Sequence, residues 1–415
     1  MVAKRSNKLF ENFLAMLILQ VSNYVFPFLT IPYLSRVLST SHYGVVLFAL
    51  SITSYLGVIC DYGFALTATR DASKHRDDRN QMGLLLSSVT IIKFILFIVM
   101  FIGASAYILL DKYYRQDYIV YLATFFGVIY NVFFPVWLFQ GLEKMRYITV
   151  VNVGMRLISV VLIFSCVRHD NDYVLIPVLN LVPVFVGIVY IQYVLHKQLI
   201  IHYILPTTAQ VLAQLRQGWH VFLSTMISAF YSTSNSFMLG IFTHNVTYVA
   251  YYANAEKVIT AMNSVYGAFF SALFPHAVKL LTNSRQDGVR YIKNKIWQTT
   301  IISLVISLII FIFAKMLVLL LLGDKYLPSV NVLRILVFVP VIICISNLLV
   351  IQTIIPLGYE RILPKLYAGS SLLYVVLTYF LIPKYTYVGM AVSVLIVELV
   401  VISVAFWYLK FRKVF

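Results

Sequence analysis

Negative charge is what this chain has least of. It carries 15 Asp and Glu against 32 Lys and Arg, and all charged residues together make up only 11% of the sequence. A soluble domain carries roughly 25% charge, so a water-facing surface of ordinary extent is excluded. The three cysteines, Cys60, Cys166 and Cys344, form no C-x-x-C pair, which excludes a disulfide framework and a cysteine zinc site. No phosphate-binding Walker loop, H-E-x-x-H, G-x-S-x-G or dinucleotide fingerprint occurs, so no catalytic or nucleotide motif and no cofactor is indicated. Long polar stretches are missing too. The gaps between apolar segments are short, the longest running over 197–218, and none on the outer side has room for a catalytic domain.

What fills the chain instead is apolar sequence, 61% of all residues. Crossing about 30 Å of hydrocarbon takes roughly 20 helical residues, and twelve segments meet that length. They run over 9–35, 44–66, 82–110, 118–140, 148–167, 173–196, 219–242, 248–278, 296–322, 330–355, 362–382 and 387–409. Met1 to Lys8 resembles the start of a signal peptide, but the apolar stretch continues to Pro32 without a small-x-small cleavage site. It is expected to remain as the first span.

The basic residues choose sides. Twenty-one of the 32 fall on alternate gaps, beginning with Lys4, Arg5 and Lys8 and ending with Lys410, Arg412 and Lys413, and six fall on the gaps between. Positively charged loops stay cytoplasmic during insertion, so both termini are expected in the cytoplasm and the chain in the inner membrane of a bacterial cell. The net charge of +17 is spread over seven short gaps rather than gathered on one surface. That distribution argues against nucleic acid and for anionic membrane lipids as a partner.

Two short patterns recur at nearly one separation. Asp111-Lys112-Tyr113 ends the third span and Asp324-Lys325-Tyr326 the ninth, 213 residues on; Gly141-Leu142-Glu143-Lys144 ends the fourth and Gly358-Tyr359-Glu360-Arg361 the tenth, 217 residues on. Together they indicate two copies of a six-span unit. The expected fold is therefore an all-α integral membrane protein, with about twelve transmembrane helices in two pseudo-symmetric six-helix bundles around a central cavity. Residues 1–200 are assigned to the N-terminal bundle, 201–217 to a cytoplasmic linker and 218–415 to the C-terminal bundle.

Ionisable residues at membrane depth cost roughly 2.5–3.5 kcal/mol each by insertion scales, and they face a wet cavity or a partner. Lys257, Lys93 and Arg156 are the deep cations, with Arg36 nearer the outer rim. Asp61, Glu256 and Glu398 are the deep carboxylates and the candidates for ion coupling. The cations have two readings at this point, ion pairs with those carboxylates or contacts to an anionic substrate. Polar stripes mark two spans. Gln20, Asn23, Tyr24 and Pro27 recur on the first, and Ser224, Ser228, Tyr231 and Asn235 on the seventh, at helical spacing. Stripes on the opening helix of each half suggest a shared hydrated cavity, with Pro27 and Pro32 bending the first span.

Several ordered motifs resemble the bacterial polysaccharide transporter family, whose members include the Wzx-type O-antigen flippases of the multidrug/oligosaccharidyl-lipid/polysaccharide (MOP) superfamily. They are Pro27-x4-Pro32-Tyr33-Leu34-Ser35-Arg36, Tyr43-Gly44, Asp61-Tyr62-Gly63-Phe64, Trp137-x2-Gln140-Gly141-x-Glu143 and Tyr251-Tyr252-x-Asn254-Ala255-Glu256-Lys257. Leu38-Ser39 stands where the family usually has Leu-Gly. The resemblance implies two six-helix bundles around a cavity, opening alternately inward and outward. It implies a transporter rather than an enzyme, carrying an undecaprenyl-diphosphate-linked oligosaccharide to the periplasmic leaflet. Lys257, Arg156, Lys93 and Arg36 would then meet the anionic carrier, and Asn254 would line the cavity with the two stripes. With no nucleotide site, an ion gradient of protons or sodium, or the glycan gradient itself, would supply the energy, and a polysaccharide polymerase is the expected downstream partner. Two rival readings are an antiporter of organic cations from the same superfamily, which would want acidic cavity residues, and a glycan polymerase or ligase, which would want a large outer loop.

Overall fold

The computed structural model describes the backbone of residues 2–414 and the side chains of residues 11, 12 and 14–414. Lys4, Arg5 and Lys8 therefore lie outside the described side chains. Every regular element among the described residues is helical. The long helices are α1 (Val2–Val37), α2 (Thr40–Asp61), α3 (Phe64–Lys74), α4 (Arg79–Leu110), a broken span α5–α7 (Tyr118–Phe126, Ile129–Phe133, Val136–Gly141), α8 (Met145–Cys166) and α9 (Leu175–Tyr193). There follow α10 (Thr208–Thr233), α11 (Asn235–Thr243), α12 (Val246–Asn283), α13 (Arg285–Leu321), a second broken span α14–α15 (Ser329–Leu336, Val339–Leu349) and α16 (Leu363–Phe411).

Local chemistry sets these boundaries. Ser39, Asp78, Asn245 and Ser284 each accept a backbone N–H of the first helical turn and so start α2, α4, α12 and α13. Gly63, at φ +74°, turns the chain between α2 and α3, and a Cβ there would also lie 2.8 Å from Val221 Cγ1. Pro135, which has no N–H to donate, divides α6 from α7. Helix α1 stays helical through Pro27 and Pro32.

Ten helical stretches among the described residues are long and apolar enough to cross a membrane. The shortfall from twelve has two causes. Glu360–Phe411 is one stretch of 52 residues, more than twice what one crossing needs, and a non-helical Thr386 (φ 51°, ψ −128°) divides it into the eleventh and twelfth spans. The seventh span is interrupted at Ser234 between α10 and α11, and its polar residues keep it below the same threshold of apolarity.

By internal contacts the chain forms two compact units, Met1–Ala229 and Phe230–Phe415. In the first, Phe64, Met82, Leu86, Trp137, Leu138 and Phe139 are among the residues that build the main core, to which Phe222 of α10 contributes. In the second, Phe270, Ile292, Leu348, Ile354 and Leu409 do the same. Large apolar side chains such as Val99, Leu110, Ile312 and Trp407 are exposed, as expected where lipid rather than water is the solvent. Tyr114 and Tyr326 are both fully buried, each in a short 3₁₀ turn leading into one of the broken spans.

Within the first unit α1 and α8 are joined by polar rungs at nearly constant offset. Thr149 Oγ1 donates to the Ala15 carbonyl at 2.8 Å, Arg156 Nη1 to Ser22 at 3.1 Å, and Tyr33 Oη to Val167 at 2.6 Å. Residue i meeting residue i + 134 each time requires the two helices to run parallel.

Candidate functional site

The deep charges of the first unit come together at the end of α2. The turn through Tyr62 and Gly63 leaves Asp61 at a helix terminus, where its Oδ2 accepts the Ala65 N–H at 3.2 Å and caps α3. Its other oxygen, Oδ1, lies 2.7 Å from Lys93 Nζ. Lys93 reaches it from α4 with only 4% of its side chain exposed, against 33% for Asp61. The ammonium also donates to the Asn131 carbonyl of α6 at 3.4 Å, so three elements meet at one cation. Cys60, Phe97, Val128 and Val132 form an apolar cluster, and the Cys60 thiol lies 3.5 Å from the Lys93 carbonyl oxygen. Sequence reasoning left Lys93 two readings, an ion pair with a deep carboxylate or a contact to a passing anion, and gave Asp61 to a coupling ion. The structure joins the two residues, so the Lys93 charge is already committed.

Arg156 is different. It is half-buried on α8, bonded to the Ser22 carbonyl, and no ion pair holds it among the described residues. One turn away, Tyr130 Oη bonds Asn152 Oδ1 at 3.3 Å. On α1, Asn23 and Tyr24 are half-buried, while Gln20 is exposed and donates to Tyr24 Oη at 3.4 Å. Arg36 is exposed in the last turn of α1, where its charge suits the negative end of the helix dipole. It belongs to the rim, apart from the deep cations.

In the second unit, neutral side chains donate hydrogen bonds to the carboxylate of Glu256. Glu256 Oε1 accepts from Asn235 Nδ2 at 2.7 Å and from Tyr252 Oη at 3.4 Å, and Oε2 accepts from Ser236 at 3.5 Å. Tyr374 Oη donates to Asn235 Oδ1 at 2.9 Å, which fixes the amide so that its NH₂ faces the carboxylate. The kink at Ser234 presents Asn235 and Ser236 to α12, where both are buried. Lys257 follows on the same helix, half-buried and turned about 100° away from Glu256. Glu398, half-buried on the second part of α16, lies within electrostatic reach of Tyr231 and Tyr367, whose rings stack at 6.3 Å.

The polar stripe on the seventh span thus divides. Ser224 is exposed and bonded back to the His220 carbonyl, Ser228 and Tyr231 are half-buried, and Asn235 lies beyond the kink inside the Glu256 network. Asn254 is 2% exposed, its amide bonded to the Ala250 carbonyl and its Oδ1 without a hydrogen-bond partner, so it is interior rather than lining. Sequence reasoning missed Asn131, Tyr252 and Tyr374. Tyr252 stands in the quoted motif one turn before Glu256, but among 30 tyrosines nothing linear marks Tyr374, which meets Asn235. It also missed Gln352, 1% exposed, which donates to the Phe270 carbonyl at 2.9 Å. An amide in the apolar run from Val330 to Ile355 was signal enough to find it.

Residues 9–281 match the family described as Polysaccharide biosynthesis protein. A protein of Escherichia coli (strain K12) named "Putative O-antigen transporter" is 29% identical over 407 residues, covering 97% of both chains. A protein of the same name from Shigella dysenteriae is 26% identical over 395 residues, covering 94% of this chain and 98% of its own. Among solved structures, the lipid II flippase MurJ in an inward closed conformation superposes with a TM-score of 0.78 at 11% identity, over 97% of this chain and 87% of that one. A multidrug resistance MATE family transporter of the MOP superfamily, facing inward, gives 0.64 at 14% identity, over 93% and 98%. At such identities the likeness is one of fold.

Proposed function

The chain belongs to the polysaccharide biosynthesis protein family, and from that premise we propose that it flips a lipid-linked oligosaccharide across a bacterial inner membrane. It is a multi-pass membrane protein with the fold of MOP transporters. The proposed cargo is an undecaprenyl-diphosphate-linked O-antigen unit or similar surface polysaccharide unit. It moves from the cytoplasmic to the periplasmic leaflet by alternating access between an N-terminal bundle of 1–200 and a C-terminal bundle of 218–415, joined by a linker at 201–217. Both termini lie in the cytoplasm.

The observation that carries this reading is Arg156, a half-buried guanidinium in an apolar span held by a carbonyl rather than by a carboxylate. A diphosphate crossing bare hydrocarbon loses its hydration at prohibitive cost, and charge-assisted hydrogen bonds from Arg or Lys replace that water. Lys257 acts with it. The lipid tail stays in the bilayer, so only the headgroup and sugars need a path. Polar and aromatic groups at Asn23, Tyr24, Ser228 and Tyr231 suit sugar rims and faces. With no nucleotide motif in the sequence, the energy comes from a proton or sodium gradient. Glu256 and Glu398 carry that coupling better than Asp61, which is tied to Lys93. A polysaccharide polymerase receives the flipped unit.

The test is display of surface polysaccharide in a cell lacking its own O-antigen transporter. The wild-type chain restores display, and Arg156→Ala and Lys257→Ala each lower it about tenfold or more at unchanged protein level. A chain that reaches the membrane, restores nothing and extrudes organic cations instead is an antiporter, and the flippase reading fails.

A further inference from the structure

Two clefts on the second unit share Lys293. One, of about 550 Å³, is lined by Arg285, Gln286, Val289, Arg290, Lys293, Asn294, Lys413 and Val414. The other, of about 430 Å³, is lined by Ile296, Ile345, Leu349, Ile402 and Phe406, with Lys293 and Lys410 at its mouth. The first offers four cations and no carboxylate; Asp287, on the same helix, is not among its lining residues. The second is lined mainly by apolar side chains and adjoins the first at Lys293.

The walls are fixed. Arg285 Nη2 donates to the carbonyls of Arg412 and Lys413 at 3.2 and 3.4 Å, tying the start of α13 to the end of α16. Lys413 takes the left-handed conformation at φ 53°, and the Val414 N–H returns to the Leu409 carbonyl at 2.9 Å, which holds Val414 in the core. Lys413 is thereby kept at the cleft rather than left on a frayed end. Depth is marked independently. Trp297 and Trp407, 69% and 73% exposed, lie on α13 and α16 one turn apolar of Lys293 and Lys410. Exposed tryptophan at that position belongs to the headgroup level of a bilayer.

We propose that the paired clefts bind an anionic glycerophospholipid of the adjoining leaflet, its phosphate among Arg285, Arg290, Lys293 and Lys413 and one acyl chain along Ile296, Ile402 and Phe406. Basic pockets between helices at a membrane face suit phosphate headgroups, and the amino-terminal end of α13 adds its dipole to theirs. The apolar channel selects a lipid over a free anion. Arg156, Lys257 and the Glu256 network contribute nothing to either cleft, so the site is separate from the proposed cargo path and does not rest on it.

Purified protein in detergent is titrated with phosphatidylglycerol and with phosphatidylcholine, and retained lipid is read by native mass spectrometry. Phosphatidylglycerol is expected to bind about tenfold more tightly or better, and the Arg290→Gln/Lys413→Gln variant to lose that preference. Arg79→Gln, at a basic gap of the first unit that lines neither cleft, keeps it. In parallel, a phosphatidylglycerol bearing a photoreactive acyl chain is crosslinked to the wild-type chain, a readout that needs no variant to fold; label is expected on the peptide containing Ile402 and Phe406. Equal binding of the two lipids, label spread over all spans, or a preference that survives the double substitution overturns the proposal. Displacement by inorganic phosphate alone would make this an anion site, and displacement by a polyprenyl diphosphate at lower concentration would make it a carrier site; either outcome removes the phospholipid.

Discussion

The two units bury a carboxylate in opposite ways. In the first, Asp61 is matched by a cation, Lys93, at 2.7 Å. In the second, Glu256 is held by an amide, a phenol and a hydroxyl. The contrast can be set position against position, because two short motifs recur at nearly one separation along the chain. Ser307 stands 214 residues after Lys93, close to the 213 and 217 that separate the recurring motifs, and it too donates to the backbone of the next, broken span. Its Oγ reaches the Val337 carbonyl at 2.7 Å, where Lys93 reaches Asn131 at 3.4 Å. The first unit thus has a charged donor there with a carboxylate beside it; the second has a neutral donor and holds its carboxylate elsewhere. A paired carboxylate cannot change protonation without stranding its cation, whereas one held by neutral donors can. The first arrangement suits a fixed joint and the second a titrating group.

The largest effect is expected from breaking the joint. Lys93→Met leaves Asp61 without its cation, and removal of one partner from a buried pair costs about 3–5 kcal/mol. Asp61 keeps a third of its side chain exposed, which discounts the loss to about 2–4 kcal/mol. Lys93→Met/Asp61→Asn is expected to recover at least half of it. Thermal unfolding in detergent measures both. A double variant no more stable than Lys93→Met would mean that the lysine acts through Asn131 or through packing, and the two units would differ less than their charges suggest.

Glu256→Gln should do the reverse, with a small change in stability and a large one in transport. The neutral donors lose about 1–2 kcal/mol of charge-assisted bonding, while a group that must bind and release a coupling ion loses that capacity entirely. The expected outcome is normal protein level, surface polysaccharide reduced about tenfold or more, and a transport rate that no longer changes with pH. Transport that keeps the wild-type pH profile in Glu256→Gln would return the coupling role to Glu398 or to the first unit.

The architecture was readable because its causes are linear. Apolar length and alternation of basic gaps follow from the bilayer acting as solvent, and they located most helices to within a few residues, although α10 and α13 each begin eleven residues before the expected 219 and 296. Caps such as Ser39 and Asp78 lie where the sequence breaks its apolar runs. Which deep residues meet was not readable, because pairing depends on helix rotation and on breaks that a hydropathy pattern does not show. Asp61 and Lys93 are 32 positions apart on separate spans, and their meeting requires the turn at Tyr62 and Gly63 to expose the carboxylate. Asn235 fits a continuous stripe with Ser224 and Ser228 on paper. The kink at Ser234 takes it out of that stripe and into the Glu256 network.

The smallest effect bears most directly on the comparison. Ser307 and the Val337 carbonyl it serves are both fully buried, and the bond is short. Ser307→Ala removes one neutral donor and leaves a carbonyl that still has its second lone pair, a loss of about 1 kcal/mol. Its value lies in the ratio to Lys93→Met, measured by the same unfolding experiment. A Lys93→Met loss two to four times larger would assign the difference to the ion pair, since both residues make the backbone bond and only Lys93 has a carboxylate beside it. Equal losses would show that both copies need nothing more than a donor at this position. The contrast between an ion-paired first unit and a second unit with neutral donors would then have no energetic basis.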